Sequence, residues 1–196
     1  MSYIETMGRI LDYNDLEVAG GAAAALSGAA AASIAAMVSR LSLRKDFGLP
    51  ADELDEIIGE AEKLSHALQD GADRDVEAFH SIMAAIALPK ETDEEKEIRS
   101  GALQKGYCIA SYVPRDNGHF SVKVKKLLDR MYQRTNPSCS SDLAVARALC
   151  DVAIAGCVLN IKANISYIKD EDVRAELMKD IDCLEPNVKF LDIDRL

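Results

Sequence analysis

The chain has 196 residues, a formal net charge of −10, 48% hydrophobic residues and 29% charged residues. This length fits one domain over residues 1–196, and the composition argues against a disordered tail or an integral membrane protein. The acidic balance argues against a nucleic-acid partner, because phosphate backbones are bound by clustered cations. Trp is absent and only 5% of residues are aromatic, which favours closely packed helices.

The cysteines carry no sign of a disulfide framework or a metal site. Five are present, which leaves an odd one over, and none forms a Cys-x-x-Cys pair. No signal-peptide pattern opens the sequence, so we predict reduced thiols, a cytoplasmic location and no bound metal. The uncharged stretch 18–38 is about long enough to span a bilayer but is mostly Ala, Gly and Ser, which favours a buried helix instead.

Apolar residues recur at helical spacing along the chain, and no strand-turn-strand pattern is present. We therefore predict an all-α, single-domain bundle of about seven helices. In chain order the predicted helices cover about 2–11, 20–43, 51–87, 92–113, 120–131, 136–168 and 170–184.

Several predicted helix ends carry local signals. Residues 2–5 and 92–95 have the spacing of capping boxes, and Asn136 before Pro137 is typical of an N-cap followed by proline at the first helical position. The segment 114–118 combines Pro, Asp, Asn and Gly. It predicts a turn or a kink that separates the fourth helix from the fifth.

Asp75 is a carboxylate on an otherwise apolar helical face, which it shares with Ala72 and Phe79. Burying a carboxylate costs free energy unless it is hydrogen-bonded or serves a ligand. Asp75 is therefore a candidate functional group, and a structural hydrogen bond to a neighbouring helix end is the alternative. The opposite face of this helix is predicted to be solvated, with His66, Asp70, Asp73, Glu77 and His80.

Two amides follow the apolar track of the last long helix. Asn160 and Asn164 lie one turn apart. Their amides either bind one polar ligand together, or form hydrogen bonds with each other or with a neighbouring helix. Asp142 begins the same track but lies about 27 Å from Asn160 at the helical rise. Asp142 and the two amides of one chain therefore cannot contact the same small ligand.

Cationic residues give a third set of candidates. Arg99 borders an apolar stripe and is a candidate partner for a carboxylate, either Asp75 or one on a ligand. Lys90 lies in the turn just before the same helix. A separate basic run is interpreted as a solvated face, with Lys123, Lys125 and Lys126.

The order and spacing of these residues resemble the cyclodeaminase/cyclohydrolase family along almost the whole chain. The middle segment, around 75–99, is the most specific part. The resemblance is carried by Gly20-Gly21, 24–29, 37–41, 75–79, 88–92, 94–96, Arg99, Val113-Pro114, Asn136, 141–142, Asn160 and Asn164.

This resemblance implies a helical homodimer that binds a folate near its interface. It also implies an enzyme with a tetrahydrofolate derivative as substrate and with no permanently bound cofactor. The reaction either closes a formimino group to the methenyl bridge with loss of ammonia or hydrolyses methenyl- to 10-formyltetrahydrofolate. Asp75 and Arg99 are the expected catalytic residues. The expected substrate-binding residues are Gly20, Gly21, Lys90, Asn136, Asp142, Asn160 and Asn164.

The chain departs from the family at the start of the first long helix. Family members have Pro-Gly-Gly-Gly-Ser where residues 18–22 are Val-Ala-Gly-Gly-Ala, so a proline, a glycine and a hydroxyl are lost. Two alternatives therefore stand beside the folate enzyme. One is a catalytically inactive relative that binds a ligand or a protein, and the other is an enzyme acting on another cyclic amidine.

Overall fold

A computed structural model describes residues 2–18 and 20–188 of the chain. Within this part the chain forms six α-helices, two short 3₁₀ turns and no strand. The all-α prediction is therefore confirmed, whereas the predicted count of about seven helices is wrong. The helices are α1 (Tyr3–Ile10), α2 (Gly20–Ser42), α3 (Ala51–Ile86), α4 (Asp93–Met131), α5 (Ser140–Ile165) and α6 (Glu171–Leu184).

The missing helix boundary is at Pro114, where α4 continues without a break. Proline lacks an N–H, so the carbonyl of Ala110, four residues earlier, loses its helical donor. The side-chain amide of Asn164, from α5, donates to this carbonyl at 2.9 Å. Pro114, Asn117 and Gly118 are all buried, so packing against the bundle maintains the helix through a segment whose local signals favour a turn.

Helix α2 lies at the centre of the bundle and packs against α3, α4 and α5. Its alanines are mostly inaccessible to solvent, and its small side chains let neighbouring helices approach closely. At Gly156 of α5, a Cβ atom would lie 2.6 Å from the Cβ of Ala24. The Ala-rich stretch is therefore buried within the bundle, as predicted.

The predicted caps have three different outcomes. The capping box at Thr92 and Glu95 is confirmed, since the Glu95 N–H donates to Thr92 Oγ1 and the Thr92 N–H donates to Glu95 Oε2. The one at Ser2 is wrong, because its side chain makes no capping hydrogen bond. Asn136 does cap a helical turn, but this is the 3₁₀ turn Pro137–Cys139 ahead of α5.

A buried ion pair joins α4 to α5. The Lys125 ammonium contacts the Asp151 carboxylate and the backbone carbonyl of Asn187, and both charged residues are buried. The interpretation of the lysine run as a solvated face is therefore wrong at Lys125. Lys123 and Lys126 are exposed, as expected.

Two helical segments are apolar and long enough to cross a bilayer by length and composition, namely α2 and Pro137–Ile165. About 67% of the most apolar part of α2 is buried in the bundle. For the most apolar part of Pro137–Ile165, the buried share is only 50%. The uncovered face of α5 includes Val145 and Val152, which are 54% and 45% exposed. One apolar helix face therefore lacks a packing partner within the described residues.

Candidate active site

A small cavity lies where the start of α2 meets the C-terminal part of α3, the middle of α4 and the last turns of α5. Its volume is about 120 Å³. It contains Asp75 and both amides that the sequence singled out. It is lined by Glu17, Gly21, Asp75, Phe79, Ile82, Ala110, Asn160 and Asn164.

Asp75 extends from α3 towards the first turn of α2. Burial raises the pKa of its carboxyl from 3.8 to about 6, although a hydrogen bond from the Ala22 backbone N–H partly opposes this rise. The first N–H groups of a helix have no intrahelical acceptor, so a carboxylate is well placed to accept from one of them. Asp75 is therefore able to hold or release a proton near neutral pH.

Gly21 brings the α2 backbone against the Asp75 carboxyl group. A Cβ atom at position 21 would lie 2.6 Å from Asp75 Cγ and closer still to both carboxylate oxygens. Real Cβ atoms do not make such contacts, so a larger residue at position 21 would displace the carboxylate. Gly20 does not line the cavity, and a Cβ atom there would meet no atom within 4 Å.

The two amides each donate to a backbone carbonyl. Asn160 Nδ2 donates to Gly156 O of its own helix at 2.8 Å, and Asn164 Nδ2 donates to Ala110 O of α4 at 2.9 Å. A carbonyl can only accept, so these bonds assign the nitrogen and the oxygen of each side chain. Pro114 therefore helps to orient Asn164, because it frees the carbonyl to which Asn164 is bound.

Glu17 is a cavity residue that the sequence reasoning missed. Its Oε2 accepts from the Arg9 guanidinium at 2.9 Å and lies 3.2 Å from His80 Nε2. The hydrogen bond with His80, followed by that with Arg9, lowers the pKa of Glu17. Glu17 lies in the segment between α1 and α2, where no helical periodicity marks a residue for the interior. His80, predicted to be merely solvated, is half-buried and contacts this carboxylate.

Arg99 and Lys90 line a different cavity, of about 320 Å³. Arg99 Nε donates to the Ile86 carbonyl at 3.3 Å, and no ion pair with Asp75 is present within residues 2–18 and 20–188. Tyr107 and Tyr167 stack beside this cavity with ring centroids 4.6 Å apart. The cationic residues that line it are Lys90, Lys96, Arg99 and Lys169.

The remaining predicted site residues lie elsewhere in this chain. Asn136 lines a third, more apolar cavity together with Leu143 and Arg147. Asp142 is half-buried in the first turn of α5 and lines neither this cavity nor the Asp75 cavity. The structure thus brings together Gly21, Asp75, Asn160 and Asn164 but not the whole predicted set.

Comparison with known proteins identifies the family. The sequence model of the family described as formiminotransferase-cyclodeaminase matches residues 4–183. The chain belongs to the formiminotransferase-cyclodeaminase family. The resemblance seen in the sequence is therefore confirmed, and the matched range contains every residue that lines the Asp75 cavity.

Similar proteins are named either as methenyltetrahydrofolate cyclohydrolases or as cyclodeaminases. A methenyltetrahydrofolate cyclohydrolase from Methylorubrum extorquens is 31% identical over 166 residues, 84% of this chain and 80% of that protein. The formimidoyltransferase-cyclodeaminase of Gallus gallus is 33% identical over 165 residues, 80% of this chain but only 29% of that longer protein. The crystal structure of formiminotetrahydrofolate cyclodeaminase from Thermotoga maritima matches with a TM-score of 0.77 and 26% identity, covering 87% of this chain and 82% of that one.

Proposed function

We propose that this chain is an enzyme of folate one-carbon chemistry, either a methenyltetrahydrofolate cyclohydrolase or a formimidoyltetrahydrofolate cyclodeaminase. The observation that carries the proposal is the Asp75 carboxyl, which lies in a small cavity with a pKa near 6. Relatives named for both reactions align with most of the chain. Both reactions need a group that moves protons around a cationic carbon, which suits such a carboxyl.

The same groups serve either reaction. In hydrolysis, water forms a C–O bond to the methenyl carbon, the C–N5 bond breaks, N5 takes one proton, and one proton is released. In deamination, N10 forms a bond to the formimino carbon and the terminal nitrogen leaves as ammonia with the proton that N10 loses. Asp75 is the proposed proton carrier in both, and its ionised form stabilises the cation. Asn160, Asn164 and the backbone at Gly21 orient the ring that bears this carbon.

The cavity lined by Lys90 and Arg99 is suited to bind the carboxylates at the acidic end of a folate. Arg99 lies eleven residues before Ala110 on α4, about 16 Å along the helix axis, and Ala110 lines the Asp75 cavity. An elongated ligand with its carbon at Asp75 extends far enough to bring carboxylates to Lys90 and Arg99. We therefore propose that these two residues bind substrate carboxylates rather than pairing with Asp75.

We also propose that two copies of the chain pair through the uncovered face of α5. Ala144, Val145, Ala148 and Val152 are exposed and lie along one side of this helix. In an antiparallel pairing of two α5 helices, the Asp142 end of one copy lies beside the Asn160 end of the other. This would let Asn136 and Asp142 contribute to a site in the second copy despite their distance from the Asp75 cavity of their own chain.

Val152→Asp is expected to convert the dimer to a monomer, because a charge on the pairing face would be buried without a partner. Size-exclusion chromatography with light scattering at micromolar concentration measures the mass. Met178→Asp is the matched control, since Met178 is 49% exposed and belongs to α6 rather than α5. A wild-type chain that is monomeric, or a Val152→Asp variant that stays dimeric, contradicts the proposal.

We propose that the chain acts in the cytoplasm on a small molecule, and its acidic net charge argues against a nucleic-acid partner. The close helix packing of α2 supports a chain that is not membrane-embedded. A tetrahydrofolate derivative is the proposed substrate, and no permanently bound cofactor or metal is part of the proposal. The altered segment 18–22 favours the second candidate, a relative that binds a ligand without turnover.

Purified protein is expected to accelerate the absorbance decay of 5,10-methenyltetrahydrofolate, or to release ammonia from the 5-formimino derivative. Gly21→Ala is expected to lower either rate more than about 100-fold, since its Cβ displaces the Asp75 carboxylate and displaced catalytic groups lose activity steeply. The control is Gly59→Ala, the same change in α3 at a position with nothing within 4 Å. Folded protein with neither activity contradicts the proposal that the chain is an enzyme. Folate binding without turnover would instead support the second candidate, a relative that binds a ligand without catalysis.

A further inference from the structure

The polar groups that line the Asp75 cavity are mainly hydrogen-bond acceptors. Two are the carboxylates of Glu17 and Asp75, and two are the side chains of Asn160 and Asn164. Each amide donates one of its two N–H groups to a backbone carbonyl, Gly156 O for Asn160 and Ala110 O for Asn164. Within residues 2–18 and 20–188 neither amide oxygen accepts a hydrogen bond, so both remain as acceptors for a ligand.

Glu17 adds a second negative charge to this wall. Its Oε2 contacts both Arg9 and His80, and its Oε1 accepts no hydrogen bond from the described residues. Arg9 is shared with Asp15, through a 2.6 Å contact of Nε with Oδ2. One guanidinium is therefore shared between two carboxylates, so Arg9 alone does not neutralise both of them.

Building on the proposed function, we infer that Glu17 is a specificity-determining residue that, with Asp75, makes this cavity select a cationic group bearing N–H donors. A protonated formimino group is such a group, because its planar amidinium carries a positive charge and several N–H donors. The methenyl bridge carries the charge, but its carbon bears no N–H. Glu17 therefore favours the ammonia-releasing reaction over the hydrolytic one.

The bonds formed and broken in the ammonia-releasing reaction are compatible with the acceptors in the Asp75 cavity. N10 bonds to the formimino carbon and gives its proton to the Asp75 carboxylate, which passes a proton to the terminal nitrogen. The bond from carbon to that nitrogen then breaks, and ammonia leaves with the bonding pair returned as its lone pair. Glu17 and the amide oxygens accept N–H bonds from the terminal nitrogen before it departs.

The test compares formamidinium with formamide, two small probes of similar shape that differ in charge and in N–H donors. Binding is followed by the NMR shifts of the Asn160 and Asn164 side-chain amides at pH 7.5. The wild-type chain is expected to prefer formamidinium, and Glu17→Gln to reduce this preference about threefold to fivefold, the effect of one exposed charge. The preference is also expected to fall with added salt. The matched control is Glu77→Gln, an exposed carboxylate on α3 outside the cavity.

Turnover gives a second readout. The wild-type chain is expected to have a higher kcat/KM with the 5-formimino substrate than with the 5,10-methenyl substrate, and Glu17→Gln is expected to lower this ratio. Equal binding of the two probes, or equal effects of Glu17→Gln and Glu77→Gln, overturns the inference. A preference for formamidinium that depends on Glu17, in a chain that turns over no folate, supports the inference and refutes the proposed function instead.

Discussion

Asp75→Asn is expected to abolish turnover and yet to increase the free energy of unfolding at pH 7.5. The amide cannot carry the proton that either reaction transfers, so kcat is expected to fall by at least about 100-fold, in line with losses of general acid–base groups. Asparagine keeps an oxygen for the Ala22 N–H and removes a buried charge. A functional group that destabilises its own fold is a common feature of active sites.

The effect on stability follows from the raised pKa of Asp75. Because the folded chain keeps this proton until about pH 6 and the unfolded chain loses it near 3.8, the wild-type chain loses stability as pH rises through this window. The loss is complete above about pH 6 and is at most about 3 kcal/mol. Urea unfolding at pH 7.5 should therefore show a higher midpoint for Asp75→Asn, and the difference should vanish near pH 4.

Glu77→Gln is the control on the same helix, because its side chain is exposed and the change should leave both stability and turnover near wild type. An Asp75→Asn variant that keeps its turnover would remove Asp75 from the proposed chemistry. A variant that is inactive but less stable at pH 7.5 would instead show that the carboxylate, rather than a protonated acid, is needed to hold α2 against α3.

Asp151→Ala is expected to reduce the free energy of unfolding by about 3–5 kcal/mol. It leaves the buried Lys125 ammonium beside the Asn187 carbonyl without a counter-charge, and such breaks are costly because the charge has lost its water. The measurement is urea unfolding followed by circular dichroism, with a lower midpoint at an unchanged slope.

Two further variants show whether the buried charge is the cause. Glu62→Ala breaks an exposed pair with Arg40 and is expected to cost at most about 1 kcal/mol. The double variant Lys125→Met/Asp151→Ala removes both charges and is expected to recover part of the stability lost in Asp151→Ala. If the double variant is less stable than the single one, the cost lies in lost packing rather than in an uncompensated charge.

Pro114 connects the fold to the candidate site. The proline frees the Ala110 carbonyl, Asn164 donates to it, and the Asn164 side chain is thereby oriented beside Asp75. A residue that appears in the sequence as a helix breaker thus serves to hold a polar side chain from another helix. This link joins residues more than 50 positions apart, so local sequence patterns cannot reveal it.

Local sequence patterns are enough to predict the all-α class, five of the six helices to within a few residues, and the unusual position of Asp75 on an apolar face. All three predictions rest on helical periodicity. A 3.6-residue repeat shows which face of a helix is apolar, and a carboxylate on that face then stands out. The cap at Thr92 could be predicted for a similar reason, since its hydrogen bonds join residues only three positions apart.

Four other features could not be predicted from local patterns. They are the continuity of α4, the burial of Lys125, the place of Glu17 in the Asp75 cavity and the separate cavity for Arg99. Each depends on contacts between residues far apart in the chain. Buried neighbours keep α4 helical through 114–118, and Asp151 compensates a lysine that looks solvated in its own segment. Glu17 lies outside any helix, so no period marks it, and its position is set by Arg9 and His80. Such contacts form only when the helices pack against each other, because the burial of a residue and the charges around it depend on neighbours from other helices.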